Sequence, residues 1–515
     1  MAAIGCLLAL SFGAKPARAT PYDNIPVGDP ISDELRILDL YDSSALQNRI
    51  RLPHLDTQPL QSIELQGIGT TPATLGRVRD ISLARIERQL GRDRSPLFGP
   101  DSRYESTPRL YESSIERTRF EVSVGLEGVD RLNGTQTKLI SGSGFQGRIA
   151  LGLDRLLAYS HYTVGQFDHA RAFADPIVPN NDVIVLTDEN FISYTEEQGQ
   201  WGIQFGRNRW HWGPGQEGSL VLSRTSPALM GIVFRAHHQA LRADGIALNA
   251  TLAQASGEQL AAHRIEWQLS DGVRMGITEA ARYKATTWQP LYLIGFIPYV
   301  LVQRLEVQGE PDSSAVLRNN VVMSFDAAWR VAEGTKVYGE LLLDDIHARS
   351  GKYPNKFAYQ FGWEGAGLIH GQRVTWGGEW TRVSRFVYTS YFGRSYVVEG
   401  KSIGFPTGPD ARRIRVRAGW DPGTDWTLFA IATHNDKGEN NLDEPFIPGS
   451  GTIQSSHFEG VVETTRDLEG GLRYWPASGI FITASGGYRW VRDAGHIVGG
   501  KQNEAIGTVE IRLNR

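Results

Sequence analysis

The chain has 515 residues, 41% hydrophobic and 21% charged, a composition that supports a large core and excludes intrinsic disorder. Its 57 glycines and its 10% of aromatic residues favour many strands and tight turns over helical bundles. The formal net charge of -4 offers no basic surface of the kind that nucleic-acid binding requires, so we expect no nucleic-acid partner.

The N-terminus has the pattern of a secretory signal peptide. An apolar run extends from Ala2 to Ala14, and Ala17-Arg18-Ala19 then fits an A-x-A cleavage site. We therefore expect residues 1–19 to direct export through the Sec pathway and to be removed. The single cysteine, Cys6, lies inside this segment, so the exported chain would use no disulfide.

Residues 20–105 are expected to form a small periplasmic helical region. The stretch ISDELRILDLYDSSAL places Ser32 where it can cap a helix and groups its apolar residues on one face. Leu75 to Leu90 is also amphipathic, with arginines opposite its aliphatic residues. Prolines and glycines between Leu90 and Pro108 then predict a linker.

No stretch outside the signal offers the roughly 18 apolar residues of a transmembrane helix. The best candidate, PLYLIGFIPYVLV from Pro290 to Val302, is too short and is interrupted by Pro298. Insertion as a β-barrel stays open, because a spanning strand needs only about 9 to 11 residues with an alternating pattern.

After Arg117 the hydrophobic period changes to two, which predicts strands to the end of the chain. Alternating arms of about 8 to 12 residues, the length that a tilted spanning strand needs, flank short turns at Glu333, Asp421 and Trp475. Longer polar connections, such as Asp436 to Gly451, alternate with these turns, as in outer-membrane barrels. Residues 106–515 would therefore form a barrel of about 16 to 20 strands.

Tryptophans recur near the short turns, at Trp329, Trp420, Trp426 and Trp475. In a membrane barrel they would form an aromatic girdle at one interface. In a soluble sandwich they would instead pack the end of the two sheets, and the pattern alone leaves that alternative open.

The sequence contains no catalytic signature of the common hydrolase, zinc-protease or nucleotide-binding types. The twelve histidines are scattered, and His237 and His238 would point to opposite faces of a strand, which is poor geometry for one metal ion. We expect no enzyme activity, no cofactor and no metal.

The stretch FGRNRWHWGPGQEGSLVLSRTSP, Phe205 to Pro227, concentrates arginine, tryptophan, glycine and proline. It resembles the signature of the capsule-assembly outer-membrane protein (Wzi) family. The matching positions are Gly206, Arg207, Trp210, Trp212, Gly213, Pro214, Gly215, Gly218, Ser219, Leu220, Leu222, Ser223 and Pro227. Asn24 to Tyr41, Val337 to Ile346 and Glu399 to Trp420 look like further family motifs, so the resemblance is scattered over most of the chain.

The resemblance implies an all-β transmembrane barrel of about 18 antiparallel strands with a small N-terminal α-helical region, in the outer membrane of a Gram-negative bacterium. It also implies a lectin-like protein that binds exported capsular or related extracellular polysaccharide and helps its assembly or attachment at the cell surface. Further expected partners are outer-membrane lipid, lipopolysaccharide and the barrel-assembly machinery, and we expect a monomer. Two other functions stay open: a general outer-membrane porin or solute channel, and a secreted protein that degrades or modifies polysaccharide.

The candidate polysaccharide-binding residues are Arg207, Arg209, Trp210, Trp212 and Glu217. They would cluster around a tight turn at Gly213-Pro214-Gly215, between a strand that ends near Phe205 and one that resumes at Leu220 and Leu222. Aromatic faces stack on the C–H surfaces of sugars, and arginines pair with uronate or phosphate groups. Alternatively, the tryptophans pack the turn or lie at the membrane interface, and the arginines pair with barrel acids.

Overall fold

The computed structural model describes residues 24–25, 30–41, 60–61, 76–90, 109–115, 118–133, 138–153, 155–167, 175–176, 183–196, 200–253, 256–295, 297–306, 319–345, 353–390, 394–447, 456–476 and 480–513. The predicted signal peptide and most of the predicted linker lie outside these ranges.

Eighteen long antiparallel strands follow one another in chain order around a barrel in the described part of the chain. They are β1 (Thr118–Asn133), β2 (Lys138–Leu153), β3 (Leu156–Phe167), β4 (Val183–Thr195), β5 (Trp201–Asn208), β6 (Leu229–His238), β7 (Ala243–Ala253), β8 (Glu258–Ser270), β9 (Val273–Lys284), β10 (Asn320–Ala332), β11 (Thr335–Asp345), β12 (Lys356–Ile369), β13 (Gln372–Val383), β14 (Ala411–Asp421), β15 (Trp426–Lys437), β16 (Glu463–Tyr474), β17 (Ile480–Arg492) and β18 (Lys501–Leu513). Residues 506–513 of β18 pair with residues 126–133 of β1, which closes the sheet.

The remaining elements are short. The helices are α1 (Pro30–Asp39), α2 (Gly76–Leu90), α3 (Pro290–Leu293), α4 (Tyr299–Glu306) and a 3-10 turn, Ala494–His496. Asn24–Ile25 pairs with Leu60–Gln61, Val397–Val398 with Lys401–Ser402, Arg109–Ile115 with β1, and Asp175–Pro176 with β4. The predicted fold class, a transmembrane barrel of about 18 strands with a small helical region, is confirmed.

The strands place their apolar side chains on the outside of the barrel. In β10, Phe325 and Trp329 are 41% and 55% exposed, whereas Ser324 and Asp326, on the other face, are buried. A soluble sandwich would bury the apolar face between its sheets. Apolar side chains that face outward all along a strand are instead typical of a barrel surrounded by lipid.

The predicted aromatic girdle holds for three of its four tryptophans. Trp329, Trp420 and Trp426 are 40% exposed or more and lie beside short turns. Trp475 is buried, and the guanidinium of Arg85 lies 4.1 Å from its ring centroid. Its expected place in the girdle is therefore wrong, because α2 covers it.

Helices α1 and α2 lie at the end of the barrel that carries the short turns, which is the periplasmic end in barrels of this type. Gly334, in the turn after β10, donates to the carbonyl of Leu40 at 3.0 Å, and Arg85 Nε donates to Thr424 O at 2.9 Å. Helix α1 begins at Pro30, whose fixed φ suits a first helical position. Ser32 therefore lies inside the first turn, not at the cap that the sequence predicts.

The apolar segment around Pro298 forms two short helices, α3 and α4, on the outer wall of the barrel. Glu279 of β9 accepts hydrogen bonds from the backbone N–H groups of Tyr299, at 2.7 Å, and Val300, at 3.2 Å. Leu301, on the other side of α4, is 50% exposed. Among the described residues no helix is long and apolar enough to cross a membrane.

Candidate functional site

The stretch that carries the family resemblance forms a loop between β5 and β6. Asn208 and Leu229, at the two strand ends, are direct register partners, so residues 209–228 leave and re-enter the sheet at one point. We call these residues the inserted loop. The predicted strand at Leu220 and Leu222 does not form, and Trp212 N donates to Leu222 O at 2.9 Å in an isolated bridge.

The inserted loop packs inside the barrel. Trp212, Leu220 and Leu222 are fully buried, and they belong to one cluster with Val322 and Leu342. Those two side chains come from the inward faces of β10 and β11. The alternating apolar residues of the loop are buried inside the barrel and do not pair with a neighbouring strand. Burial of their apolar surface stabilises the loop in place of strand pairing.

Polar side chains of the barrel wall bind the backbone of the inserted loop. Glu379 of β13 accepts from the N–H groups of Gln216, at 2.7 Å, and Glu217, at 3.3 Å. Glu340 of β11 accepts from Leu220 N at 3.2 Å, and Gln360 of β12 donates to Gly218 O at 3.0 Å. These bonds satisfy backbone groups that have no sheet partner.

The glycines of the loop allow a close approach to the wall. Gly213 has a φ of +143°, and a Cβ atom at Gly215 would lie 2.2 Å from Gln360 Oε1. His211 closes the turn from within, since its Nδ1 accepts from Arg224 N at 3.3 Å and its Nε2–H donates to Gly215 O at 2.7 Å. At Gly213-Pro214-Gly215, where the sequence predicts a tight turn, the chain bends inside the barrel at Gly213 and Pro214 without forming a hydrogen-bonded turn.

The inserted loop connects both ends of the barrel. On the periplasmic side, Arg36 of α1 donates to Pro214 O at 3.0 Å and pairs with Glu364 of β12 at 3.3 Å. On the other side, Tyr388 Oη donates to Leu220 O at 2.6 Å. Ser223 N donates to Ile403 O at 2.9 Å. The described parts of the long connection between β13 and β14, residues 384–390 and 394–410, thus rest on the loop.

Buried ion pairs hold helix α1 in the barrel mouth. Glu34 lies 2.7 Å from Arg373 and 2.9 Å from Arg85, and Asp39 lies 2.6 Å from Arg274. Burial alone would raise the pKa of Glu34, but the charges of Arg373 and Arg85 outweigh it and lower this pKa to about 2. The pKa of Asp39 is also lowered, because Arg274 and Lys336 outweigh its burial.

The structure distributes the five predicted site residues over two places. Trp210 and Trp212 are 4% and 0% exposed, inside the barrel, which fits the packing alternative. Glu217 also points inward and pairs with Arg415 at 2.9 Å and Arg413 at 3.3 Å.

The two predicted arginines lie at the rim on the long-loop side. Arg207 is 4.0 Å from Glu399, and Arg209 Nη1 donates to the carbonyls of Arg224 and Ser226, both at 3.4 Å. Sugar contact by the five residues stays a prediction, and Trp210 and Trp212 present no exposed ring face for it.

Sequence reasoning missed the wall residues Glu340, Gln360, Glu364 and Glu379. The available signal was their place in the alternation, because each lies at an inward position between outward apolar or aromatic residues. A carboxylate at such a position needs a partner inside the barrel. The sequence does not reveal that this partner is a loop 120 or more positions away.

No family model and no curated protein sequence matches the chain. Among solved structures, it is similar to Wzi of Escherichia coli, described as an outer-membrane protein involved in group 1 capsule assembly and a carbohydrate-binding β-barrel. The TM-score is 0.61 at 12% identity, covering 96% of this chain and 99% of that one. OccAB1 of Acinetobacter baumannii (TM-score 0.44, 8% identity, 78% and 97% covered) and OprD of Pseudomonas aeruginosa (0.42, 10%, 78% and 94%) are less similar. The likeness to Wzi shows a common fold.

Proposed function

We propose that the protein is an outer-membrane barrel that binds exported capsular or related surface polysaccharide and holds it at the cell surface. The observation that carries this proposal is the inserted loop, which lies in the lumen and is bonded to Arg36 of α1 below and to Tyr388 of the β13–β14 connection above. Such an internal structure would obstruct diffusion and would support a stable surface on the long-loop side. The similarity in fold to a carbohydrate-binding barrel points the same way.

Polysaccharide would bind at the rim on the long-loop side. Arg207 and Arg209 lie there beside Glu399 and Lys401 of the connection that rests on the inserted loop. Arginines pair with the carboxylates or phosphates of acidic sugars, while neighbouring carboxylates accept from sugar hydroxyls. The inserted loop would then act indirectly, by fixing the connection above it.

A channel for small anions is the second candidate. Arg413, Arg415 and Arg417 project inward from β14 at every second residue. Arg417 and Arg473 are more than a third exposed, and they line a cavity together with Phe429. A row of arginines along a lumen attracts anionic solutes.

Two measurements on the purified protein separate these functions. Binding is measured by biolayer interferometry with acidic capsular polysaccharide from the native host, and conductance is measured in planar bilayers. We expect saturable binding that Arg207→Gln/Arg209→Gln weakens at least about tenfold, since each charged hydrogen bond contributes about 1.5 to 3 kcal/mol, and conductance far below that of an open porin. Porin-like conductance without glycan binding would contradict the proposal and favour the channel.

A further inference from the structure

A band of basic side chains faces outward from the barrel at the long-loop end of β14 to β18. The strand register places Arg412, Asp436, Thr464, Arg492 and Lys501 directly beside one another in one row. The next row toward the membrane, two residues down each strand, is Ile414, His434, Arg466, Trp490 and Asn503. We call Arg412, Arg466, Arg492 and Lys501 the basic rim.

The basic rim is open to its surroundings. The side chains of Arg412 and Arg492 are 43% and 81% exposed, and Arg466 and Lys501 are also exposed. Asp436 is buried and pairs with Arg412, while Asp493 lies 3.8 Å from Arg492. Four cations against these two acids leave a net positive band.

Internal contacts hold part of the rim in place. Arg466 Nε donates to His434 Nδ1 at 3.3 Å, and His434 Nε2 lies 3.1 Å from Asp436. Thr464 donates to Asp436 at 2.8 Å from the other side. Arg412 directly, and Arg466 through His434, are therefore both held by the buried carboxylate of Asp436. This part of the band is preorganised for a ligand.

Apolar side chains lie beside and directly below the rim. Leu468, Tyr488 and Trp490 face outward and are 55%, 41% and 44% exposed, with the rings of Tyr488 and Trp490 4.9 Å apart. The residues below them on the same face, such as Leu428 and Val509, are also exposed. We call these exposed apolar side chains the apolar belt. An amphiphilic ligand at the rim would place its charged head group against the basic side chains and its apolar tail against the apolar belt.

We propose that the basic rim binds an acylated, phosphorylated glycolipid of the outer leaflet, the chemistry of the lipid A part of lipopolysaccharide. Its phosphates would accept hydrogen bonds from the three arginines and from Lys501, since guanidinium groups match phosphate oxygens. Its acyl chains would lie against Leu468 and the belt below. A soluble polysaccharide has no acyl chains to pack against the apolar belt, so this site is distinct from the proposed glycan surface.

Native mass spectrometry of the full exported chain in detergent tests the proposal. The probes are bisphosphorylated hexa-acyl lipid A, its fully dephosphorylated form and phosphatidylglycerol. The test variant is Arg466→Gln/Arg492→Gln/Lys501→Gln, which keeps Arg412 so that Asp436 stays paired. The control removes three cations elsewhere, of which Arg77 and Lys284 are exposed and Arg242 is half-exposed: Arg77→Gln/Arg242→Gln/Lys284→Gln.

We expect wild type and control to bind the bisphosphorylated lipid A, and the rim variant to bind it about 100-fold more weakly, because each of the three lost charges contributes about fivefold near an anionic surface. Arg466→Lys/Arg492→Lys, which keeps the charge, should retain most of the affinity and covers the case in which the glutamine variant does not fold. Equal affinity of wild type and rim variant, an equal loss in the control, or equally tight binding of phosphatidylglycerol would overturn the proposal.

Discussion

Gly215 has no room for a side chain. A Cβ atom there would lie 2.2 Å from Gln360 Oε1 and 2.3 Å from Gly218 O. The amide of Gln360 cannot retreat without loss, because its Nε2 donates to Gly218 O and to Glu379, at 3.0 and 2.8 Å. Any larger residue at position 215 must therefore displace the inserted loop from the wall.

We expect Gly215→Ala to lower the free energy of unfolding by about 1 to 3 kcal/mol, the usual effect of overpacking. Urea unfolding in detergent micelles, followed by heat-modifiable migration on SDS gels, measures it. Gly245→Ala in β7 is the matched control, because a Cβ atom there meets nothing within 4 Å. Similar losses in both variants would contradict this account of Gly215.

Arg264 is at the centre of a buried charge cluster inside the barrel. It donates to Asp326 at 2.6 and 2.9 Å and to Glu266 at 2.6 Å, and all three side chains are almost fully buried. Removal of the cation breaks both buried ion pairs and takes the Arg264 charge away from two buried carboxylates. We expect Arg264→Met to destabilise the barrel by about 3 to 5 kcal/mol.

The control for Arg264 is an ion pair of similar length at the surface. Arg242 lies 2.6 Å from Asp271, and their side chains are 35% and 76% exposed. Arg242→Met should change the free energy of unfolding by about 1 kcal/mol or less, because exposed pairs are screened by water. The same urea series measures both, and a small effect of Arg264→Met would show that the buried cluster contributes little net stability.

Docking of α1 in the barrel mouth should depend on pH through Glu34. Its pKa is lowered from 4.5 to about 2 in the folded protein, so its contribution is complete above about pH 4.5 and is lost as the pH falls toward 2. Glu34→Gln removes the charge at every pH. We expect this variant to release α1 and α2 from the barrel mouth, with the β-strands intact.

A spin label on α2 measures this release. Arg77 is exposed on α2 and the chain has one cysteine, so Cys6→Ser/Arg77→Cys gives a single labelling site. The label should become mobile as the pH falls from about 4.5 toward 2 in wild type, and should already be mobile at neutral pH in Glu34→Gln. Asp33→Asn is the control, because its pair with Arg473 is partly exposed at 3.4 Å. A pH profile unchanged by Glu34→Gln would contradict the role of Glu34.

The barrel strands could be predicted from the sequence because lipid imposes a strict rule on every outward position. The alternation from Val321 to Val331 reproduces β10 to within a residue at each end. The same rule misled at Leu220 and Leu222, whose spacing fits a strand although the segment has no strand partner. Local alternation identifies a buried face, but only the fold reveals whether sheet or lumen buries it.

The position of the inserted loop in the sequence was predictable, but its geometry was not. The density of Gly, Trp and Arg in 205–227 pointed to a special segment, and the structure makes that segment the centre of the lumen. The contacts that define it, such as Glu379 to Gln216, join residues more than 160 positions apart. No local pattern encodes pairs of that separation. The predicted place of Trp475 in the girdle was wrong for the same reason, because Arg85, which packs on its ring, lies on a helix far away in the sequence.

The inserted loop should control whether the barrel conducts ions. Asn208 and Leu229 pair directly, so Gly-Asn-Gly-Ser can replace residues 209–228 without a change of strand register. We expect this variant to fold as a heat-modifiable barrel and to conduct ions in planar bilayers at the level of an open channel. Wild type should conduct far less, because the loop lies in the lumen and is held there by Arg36 at Pro214 and by Tyr388 at Leu220.

The control replaces the connection between β17 and β18 with the same turn. Arg492 and Lys501 are also register partners, and residues 493–500 between them carry exposed Ile497 and Val498 at the rim. Shortening this connection should leave conductance at the wild-type level, because it does not enter the lumen. If both replacements raised conductance equally, loop length at the rim would be the barrier. If neither replacement raised conductance, helix α1 would be enough to close the barrel from the periplasmic side, where it is bonded to Glu364 and Arg373.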